Sequence, residues 1–278
     1  MTHRVQAESI SAPLYEVRAA STAAGGTALS TTAGLITIPM GADWLSLTPR
    51  NLVGATVARV ALNPRLTIIK TANLLASEGT DLSAEAQDGD TTAMAFGGFN
   101  TLANGDAQYV GSHVPFRGVL VDVGTVNAVP GTLTVDYWDG SSAWVDTSAT
   151  DNTDTGAPFA QDGTVVGTVP AGWTRSSLRT NGAVTAGAAV FDAFVSRAPY
   201  INNLYWTRWT TSAAHTDPST ILQLRSLNRS TAYLELLSGQ TYEQKLVNDA
   251  IAAVEALTDA GTANLIVNVG VAWGEVFA

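Results

Sequence analysis

What most constrains this chain is its punctuation. From Gly34 onward, short runs of β-branched and other apolar residues are each closed by Gly, Pro, Asn or Asp. Leu35-Ile36-Thr37-Ile38 stops at Pro39, Trp44-Leu45-Ser46-Leu47 stops at Pro49, and Val57 to Leu62 stops at Asn63-Pro64. Such runs are too short for helices and suit strands, with each breaker marking a turn. Arg65 to Thr71 continues the series, and an acidic, polar connection follows from Glu78 to Thr92.

The clearest alternation lies mid-chain. Val119, Val121 and Val123 take one face and Leu120 and Asp122 the other; after the turn Ala128-Val129-Pro130-Gly131, Leu133, Val135 and Tyr137 oppose Thr132, Thr134 and Asp136. This period of two is that of half-buried antiparallel strands. Asp139-Gly140 is a tight-turn dipeptide leading into Ala143-Trp144-Val145, which predicts a hairpin. Further strands are expected at Thr164 to Val169 and Asn203 to Thr211, whereas Arg175 to Ala189 has no firm period.

One segment reads differently. Thr241 is placed as an N-cap with Gln244 three residues on, Leu246, Ala250, Val254 and Leu257 fall on one stripe, and Gly261 sits past the end. The pattern predicts a helix over 241–259. Leu265, Val267, Val269, Val271 and Trp273 then alternate as a terminal strand. The first 33 residues, rich in Ala, Ser, Thr and Gly, read as an arm, either a disordered leader or a segment that orders against a neighbouring subunit.

The expected fold class is therefore mainly β: antiparallel, jelly-roll-like β-sandwich modules with one C-terminal α-helix and a terminal strand. The expected division is a flexible N-terminal arm at 1–33, a first β region at 34–108, a β-sandwich module at 109–225, and a C-terminal helix and strand region at 226–278. No repeat of 20 to 50 residues indicates a solenoid or propeller.

Charge narrows the partners. The net charge is -10, Lys70 and Lys245 are the only lysines, and the arginines are scattered singly from Arg4 to Arg229. No basic stripe is visible, so neither nucleic acid nor an anionic membrane is an expected partner. With 46% hydrophobic and only 14% charged residues, part of the surface is expected to be buried in an oligomer; an acidic soluble monomer is the plainer alternative. The chain has no cysteine, which removes disulfides and thiolate chemistry. Met1 to Leu29 lacks the apolar run of a signal peptide, and no window offers the ~18 apolar residues of a spanning helix, so a soluble product made in a cytoplasm is expected.

Catalytic signatures are missing: there is no G-x-S-x-G, H-E-x-x-H, G-x-G-x-x-G or Walker A sequence. His3, His113 and His215 lie in expected loop or arm sequence and are too widely spaced to suggest zinc. Two oxygen-rich stretches, Glu78, Asp81, Glu85, Asp88 and Asp90, and Asp151, Asn152 and Asp154, lack EF-hand spacing and read as solvated loops, with calcium binding as the alternative. Paired carboxylates of the glycosidase kind have no local code and stay open. The aromatic residues sit inside strand patterns, where core packing is favoured over a sugar platform. Asn228-Arg229-Ser230 fits a glycosylation triplet by chance composition. No catalytic, cofactor-binding or metal-binding residue is assigned, and no cofactor is expected.

The segment from Tyr109 to Trp209 resembles a β-sandwich module found in structural proteins of tailed bacteriophages. The residues that carry the likeness are Tyr109-Val110-Gly111-Ser112, Pro115-Phe116-Arg117-Gly118, the hairpin Tyr137 to Trp144, Asp162-Gly163-Thr164 running to Pro170-Ala171-Gly172-Trp173, and Tyr205-Trp206-Thr207-Arg208. The interval from Arg175 to Pro199 is longer than that pattern has. The resemblance implies a non-enzymatic virion component, foremost a capsid decoration or cement protein that binds the major capsid protein and itself, with a trimer favoured on symmetry grounds. A tail, neck or baseplate component and a host-surface carbohydrate-binding module are the alternatives.

Overall fold

The computed structural model describes residues 15–19, 26–38, 42, 44–71, 79–83, 85–87, 107–141, 143–178, 203–214, 219–227, 233–246 and 251–272. Among them the early strands are β1 (Tyr15–Ala19), β2 (Thr27–Leu29), β3 (Gly34–Thr37), β4 (Trp44–Val53), β5 (Ala58–Pro64), β6 (Thr67–Thr71) and β7 (Gly79–Asp81). A one-turn 3-10 helix at Glu85–Gln87 precedes β8 (Ala107–Ser112), β9 (Gly118–Thr125), β10 (Leu133–Trp138), β11 (Trp144–Asp146), β12 (Thr150–Asp151), β13 (Gly163–Val166) and β14 (Arg175–Ser176). The last are β15 (Leu204–Thr211), β16 (Thr220–Ser226), β17 (Leu234–Leu236), β18 (Tyr242–Lys245), β19 (Ile251–Thr258) and β20 (Thr262–Ala272). The protein is mainly β and its sheets are antiparallel, as the alternating runs imply.

The chain divides into two compact units, Met1–Leu62 with Ala232–Ala278, and Asn63–Thr231. In the first, one sheet has the order β1-β20-β4-β18, with β2 also on β20, and the other has the order β17-β5-β19-β3. Both sheets feed one core: Leu45, Leu47, Leu265, Val267 and Val269 from the first sheet meet Val60, Val254, Ala256 and Leu236 from the second. β20 shows the cause, since Ala263, Leu265, Val267 and Val269 are buried while Asn264, Ile266 and Asn268 between them are half-buried. β4 runs through Pro49 to Val53 instead of stopping there. The Pro49 carbonyl accepts from Gly239 N (2.8 Å) on the side away from β20, so the missing N–H costs the β4–β20 ladder nothing.

In the second unit one sheet has the order β11-β10-β15-β8-β6-β7, with β14 also on β15, and the other has the order β12-β13-β9-β16. Leu66, Ile68, Val110, Val135 and Trp209 meet Val119, Val121, Val165, Ile221 and Leu224 in its core, with Phe159 stacked on Trp209 at 6.5 Å. The expected Asp139-Gly140 hairpin is present, with Trp138 opposite Trp144 and Gly140 at φ +86°.

Three expectations are corrected. The helix over 241–259 is two strands, β18 and β19. β19 lies between β5 and β3 and is buried on both faces, so its near-continuous apolar run mimicked a helical stripe. Thr241, read as a cap, instead shares a hydroxyl hydrogen bond with Thr48 (3.0 Å), and Gly261 (φ +58°) belongs to the turn into β20. The arm at 1–33 holds β1, β2 and the buried Leu29 of the core; its remaining residues 1–14 and 20–25 lie outside the described residues. The boundary at 108/109 falls inside β8, which bonds to β6 and β15 alike, and the regions 34–108 and 226–278 are not separate, because β4 pairs with β20 from Trp44↔Gly270 to Thr48↔Ile266. Trp273 and residues 179–200 lie outside the described residues.

Candidate functional site

The densest set of polar and aromatic side chains lies in the second unit, on the sheet face away from its core. Strand alternation sends Thr207 and Trp209 of β15 toward the core and Leu204, Trp206 and Arg208 the other way. Register then builds two cross-strand rows. Along the first, Trp144 stands opposite Trp138 and Trp206 opposite Gly111, and Asp146, Asp136, Arg208, Tyr109 and Ile69 form the second.

Each row is tied down. Trp138 meets Trp144 edge to face at 5.5 Å, and Tyr109 meets Trp144 at 5.7 Å. Arg208 donates from Nε (3.1 Å) and Nη2 (2.5 Å) to Asp136 Oδ2 while its guanidinium lies 5.2 Å from the Trp144 ring centre. Trp206 Nε1 donates to Ser176 O (2.9 Å), and Trp173 Nε1 donates to Trp206 O (3.0 Å). Trp206 fits because Gly111 lies beneath it: a Cβ there would stand 2.6 Å from the indole. Trp206, Leu204, Tyr109 and Ile69 are fully buried, and Trp144 is half-buried. The Tyr109 hydroxyl makes no hydrogen bond. Burial pushes its pKa far above the usual phenol value, with Arg208 opposing and Asp136 adding, so it stays a neutral O–H. Chemically the arrangement is a clamped cation between a carboxylate and an indole, set among packed rings.

The loop candidates are spent locally. His113 is half-buried, and burial and the Arg175 charge lower its imidazole pKa; its carbonyl accepts from Arg175 Nη2 (2.5 Å). His3 and His215 lie outside the described residues. Asp81 accepts from Ser83 N (2.9 Å) and Oγ (2.5 Å), Glu85 is exposed on the 3-10 turn, and Glu78, Asp88 and Asp90 lie outside the described side chains. Asp151 Oδ1 accepts from Thr153 N (2.8 Å) and Oγ1 (2.5 Å), whereas its Oδ2 is buried without a partner; burial, with a lesser push from Asp154, raises its pKa. Asp154 accepts from Gly156 N (2.5 Å), and Asn152 donates to Thr164 Oγ1 (2.9 Å). These are side chains closing their own turns. Among the described residues no three His, Asp or Glu side chains are grouped to hold a metal ion, and residues 228–230 lie outside the described part.

Two residues with large roles carry no local sequence signal. Gln87 bonds the main chain of Leu66 and Ser83, and Asp259 caps Thr56 and Val57. Asp259 acts on a segment far away in the chain and Gln87 on strand sequence before an intervening hairpin, and only the fold brings them together. No family model, curated protein or solved structure matches the chain.

Proposed function

We propose that this protein is a non-enzymatic structural component of a tailed-phage virion, foremost a capsid decoration or cement protein, and that its two units are β-sandwiches, the second jelly-roll-like. One observation supports this above the others. The residues that carry the phage-module resemblance all fall in the Asn63–Thr231 unit, and several of them tie neighbouring strands and a loop of one sheet together. Trp173 ties its loop to Trp206, Trp206 ties β15 to β14, and Arg208 bridges β15 to β10 through Asp136. A module whose aromatic and charged residues are used for cohesion suits a particle component that must withstand mechanical and osmotic load.

In this reading the partners are further copies of the chain, as a trimer, and the major capsid protein, and the location is the virion. The sparse charge and high apolar content fit a surface buried in assembly. Cryo-electron microscopy of intact particles tests it. Density for this fold at hundreds of copies on the shell supports the capsid reading, a few to a few tens supports the tail or neck reading, and no copies on any particle removes both.

A further inference from the structure

In the first unit, the side of the fold where β2 and β3 lie is open among the described residues. β2 bonds to β20 in one sheet and β3 to β19 in the other, and among the described residues no strand takes the outer edge of β3. The chain crosses between the sheets at Ser30 to Ala33, where Ser30 O accepts from Thr258 N (2.8 Å). Between the two strands runs a groove of about 280 Å³. Its lining carries no charge, and it reaches the core residues Leu29, Ile36 and Ala256. A strand edge without a partner among the described residues, beside an uncharged slot of aliphatic and hydroxyl side chains, meets the two requirements for adding a further strand.

The chain supplies a segment with matching chemistry. Immediately before β1, Ile10, Ala12 and Leu14 alternate with Ser9, Ser11 and Pro13. As a strand this segment has one apolar face for the slot. The N–H groups of Ile10, Ala12 and Leu14 point to one edge, and Pro13, which has none, falls on the other, where an edge strand tolerates it. The segment does not reach the groove of its own chain. Tyr15 pairs with Ala272, at the far end of β20 from Ala263, which pairs with Leu29. That stretch of β20 covers about 30 Å, whereas Ser9 to Leu14 spans about 20 Å fully extended.

We propose that Ser9–Leu14 of one copy adds as a strand to the β3 edge of a second copy, so that the protein assembles by exchange of its leaders. The contact is head to tail, and a ring of three copies satisfies every groove. The proposal depends on the virion reading only for the expectation of an oligomer.

The chain has no cysteine, so introduced pairs report cleanly. Ala12→Cys and Ala33→Cys, made in separate full-length chains, are mixed and oxidised. The expected result is a disulfide-linked species of twice the chain mass, well above the level in either variant alone and absent when Val126→Cys replaces Ala33→Cys. Light scattering should show the full chain as an oligomer, and both deletion of Met1–Leu14 and Ile10→Asp as folded monomers whose melting temperature no longer depends on protein concentration. No cross-link in the mixture, a cross-link only within a doubly substituted chain, or a truncated chain that keeps its oligomeric state overturns the proposal. Exchange in solution by a protein found on no particle sinks the virion reading and leaves this one standing.

Discussion

The side-chain amide of Gln87 pairs with the main chain of Leu66 as a neighbouring strand residue does: Leu66 N donates to Oε1 and Nε2 donates back to Leu66 O, both at 2.7 Å. Nε2 also reaches Ser83 O at 2.7 Å. Both residues are buried, so no water replaces the amide if it is removed. Gln87→Ala is expected to cost ~1–3 kcal/mol for each main-chain group left unpaired, read as a lower urea midpoint at unchanged slope. Gln87→Glu should be no better, because its carboxylate faces two carbonyls without a proton to give. Midpoints equal to the parent's would show the pairing to be incidental.

Trp206 tests whether the aromatic rows are structural. Trp206→Ala is expected to cost ~3–5 kcal/mol, a large part of the ~5–15 kcal/mol typical of a folded domain. Gly111→Ala should destabilise through the same contact, by forcing the indole away. A Trp206→Ala protein with an unchanged melting temperature that loses only sugar or receptor binding makes these rings a recognition surface.

The Arg208–Asp136 pair is partly shielded, with side-chain exposures of 30% and 9%. Arg208→Met leaves the Asp136 carboxylate without its guanidinium and should cost ~1–3 kcal/mol. Arg208→Lys should recover only part of this, since an ammonium neither forks onto Asp136 nor lies flat on Trp144. A double-mutant cycle with Asp136→Asn measures the coupling; a value near zero would make the pair ornamental.

Acid stability should depend on Asp259. The Thr56 hydroxyl and the Val57 and Thr56 amides hold its carboxylate pKa down to about 2. A depressed folded-state value means that the stabilisation is present above the ordinary carboxylate pKa near 4 and is lost as pH falls through about 2. Asp259→Asn should therefore flatten the melting curve against pH between those limits. Asp151 has the opposite sign: its raised pKa makes the ionised form a liability that grows as pH rises. Asp151→Asn should raise the melting temperature at neutral pH and leave it unchanged in acid; a gain in acid as well would locate the effect elsewhere.

Truncations should separate leader from fold. Removing Met1–Leu14 leaves every described strand in place and should lower the melting temperature only by the share that exchange between copies adds, which fades on dilution. Removing Met1–Thr32 takes away β1, β2 and the buried Leu29 and should lower it clearly. Equal melting of the two would mean that β1 and β2 contribute nothing to β20.

Where one face of a strand is buried, the fold was legible in the sequence. β9, β10, β20 and the Asp139-Gly140 hairpin follow from alternation and turn chemistry. β19 was not legible, since burial on both sides erases the alternation that separates strand from helix. The two-unit division was hidden for another reason. It depends on β4 finding β20 across almost the whole chain, and pairing at that separation leaves no local trace. The stacking of Arg208 on the half-buried Trp144 left no local trace either, because the hairpin register chose the indole.

β5 and β17 are antiparallel neighbours, with Leu234 opposite Val60, and the whole Asn63–Thr231 unit lies between them in the sequence. During synthesis this sets an order of events. The ribosome completes every strand of the inner unit before β17 to β20 exist, so the inner unit can close while β4 and β5 still wait for partners. The waiting strands are apolar, and their exposure lasts as long as translation of everything between them. Slowing the ribosome within the inner unit should therefore increase aggregation of nascent chains, whereas slowing it before β4 is made should not.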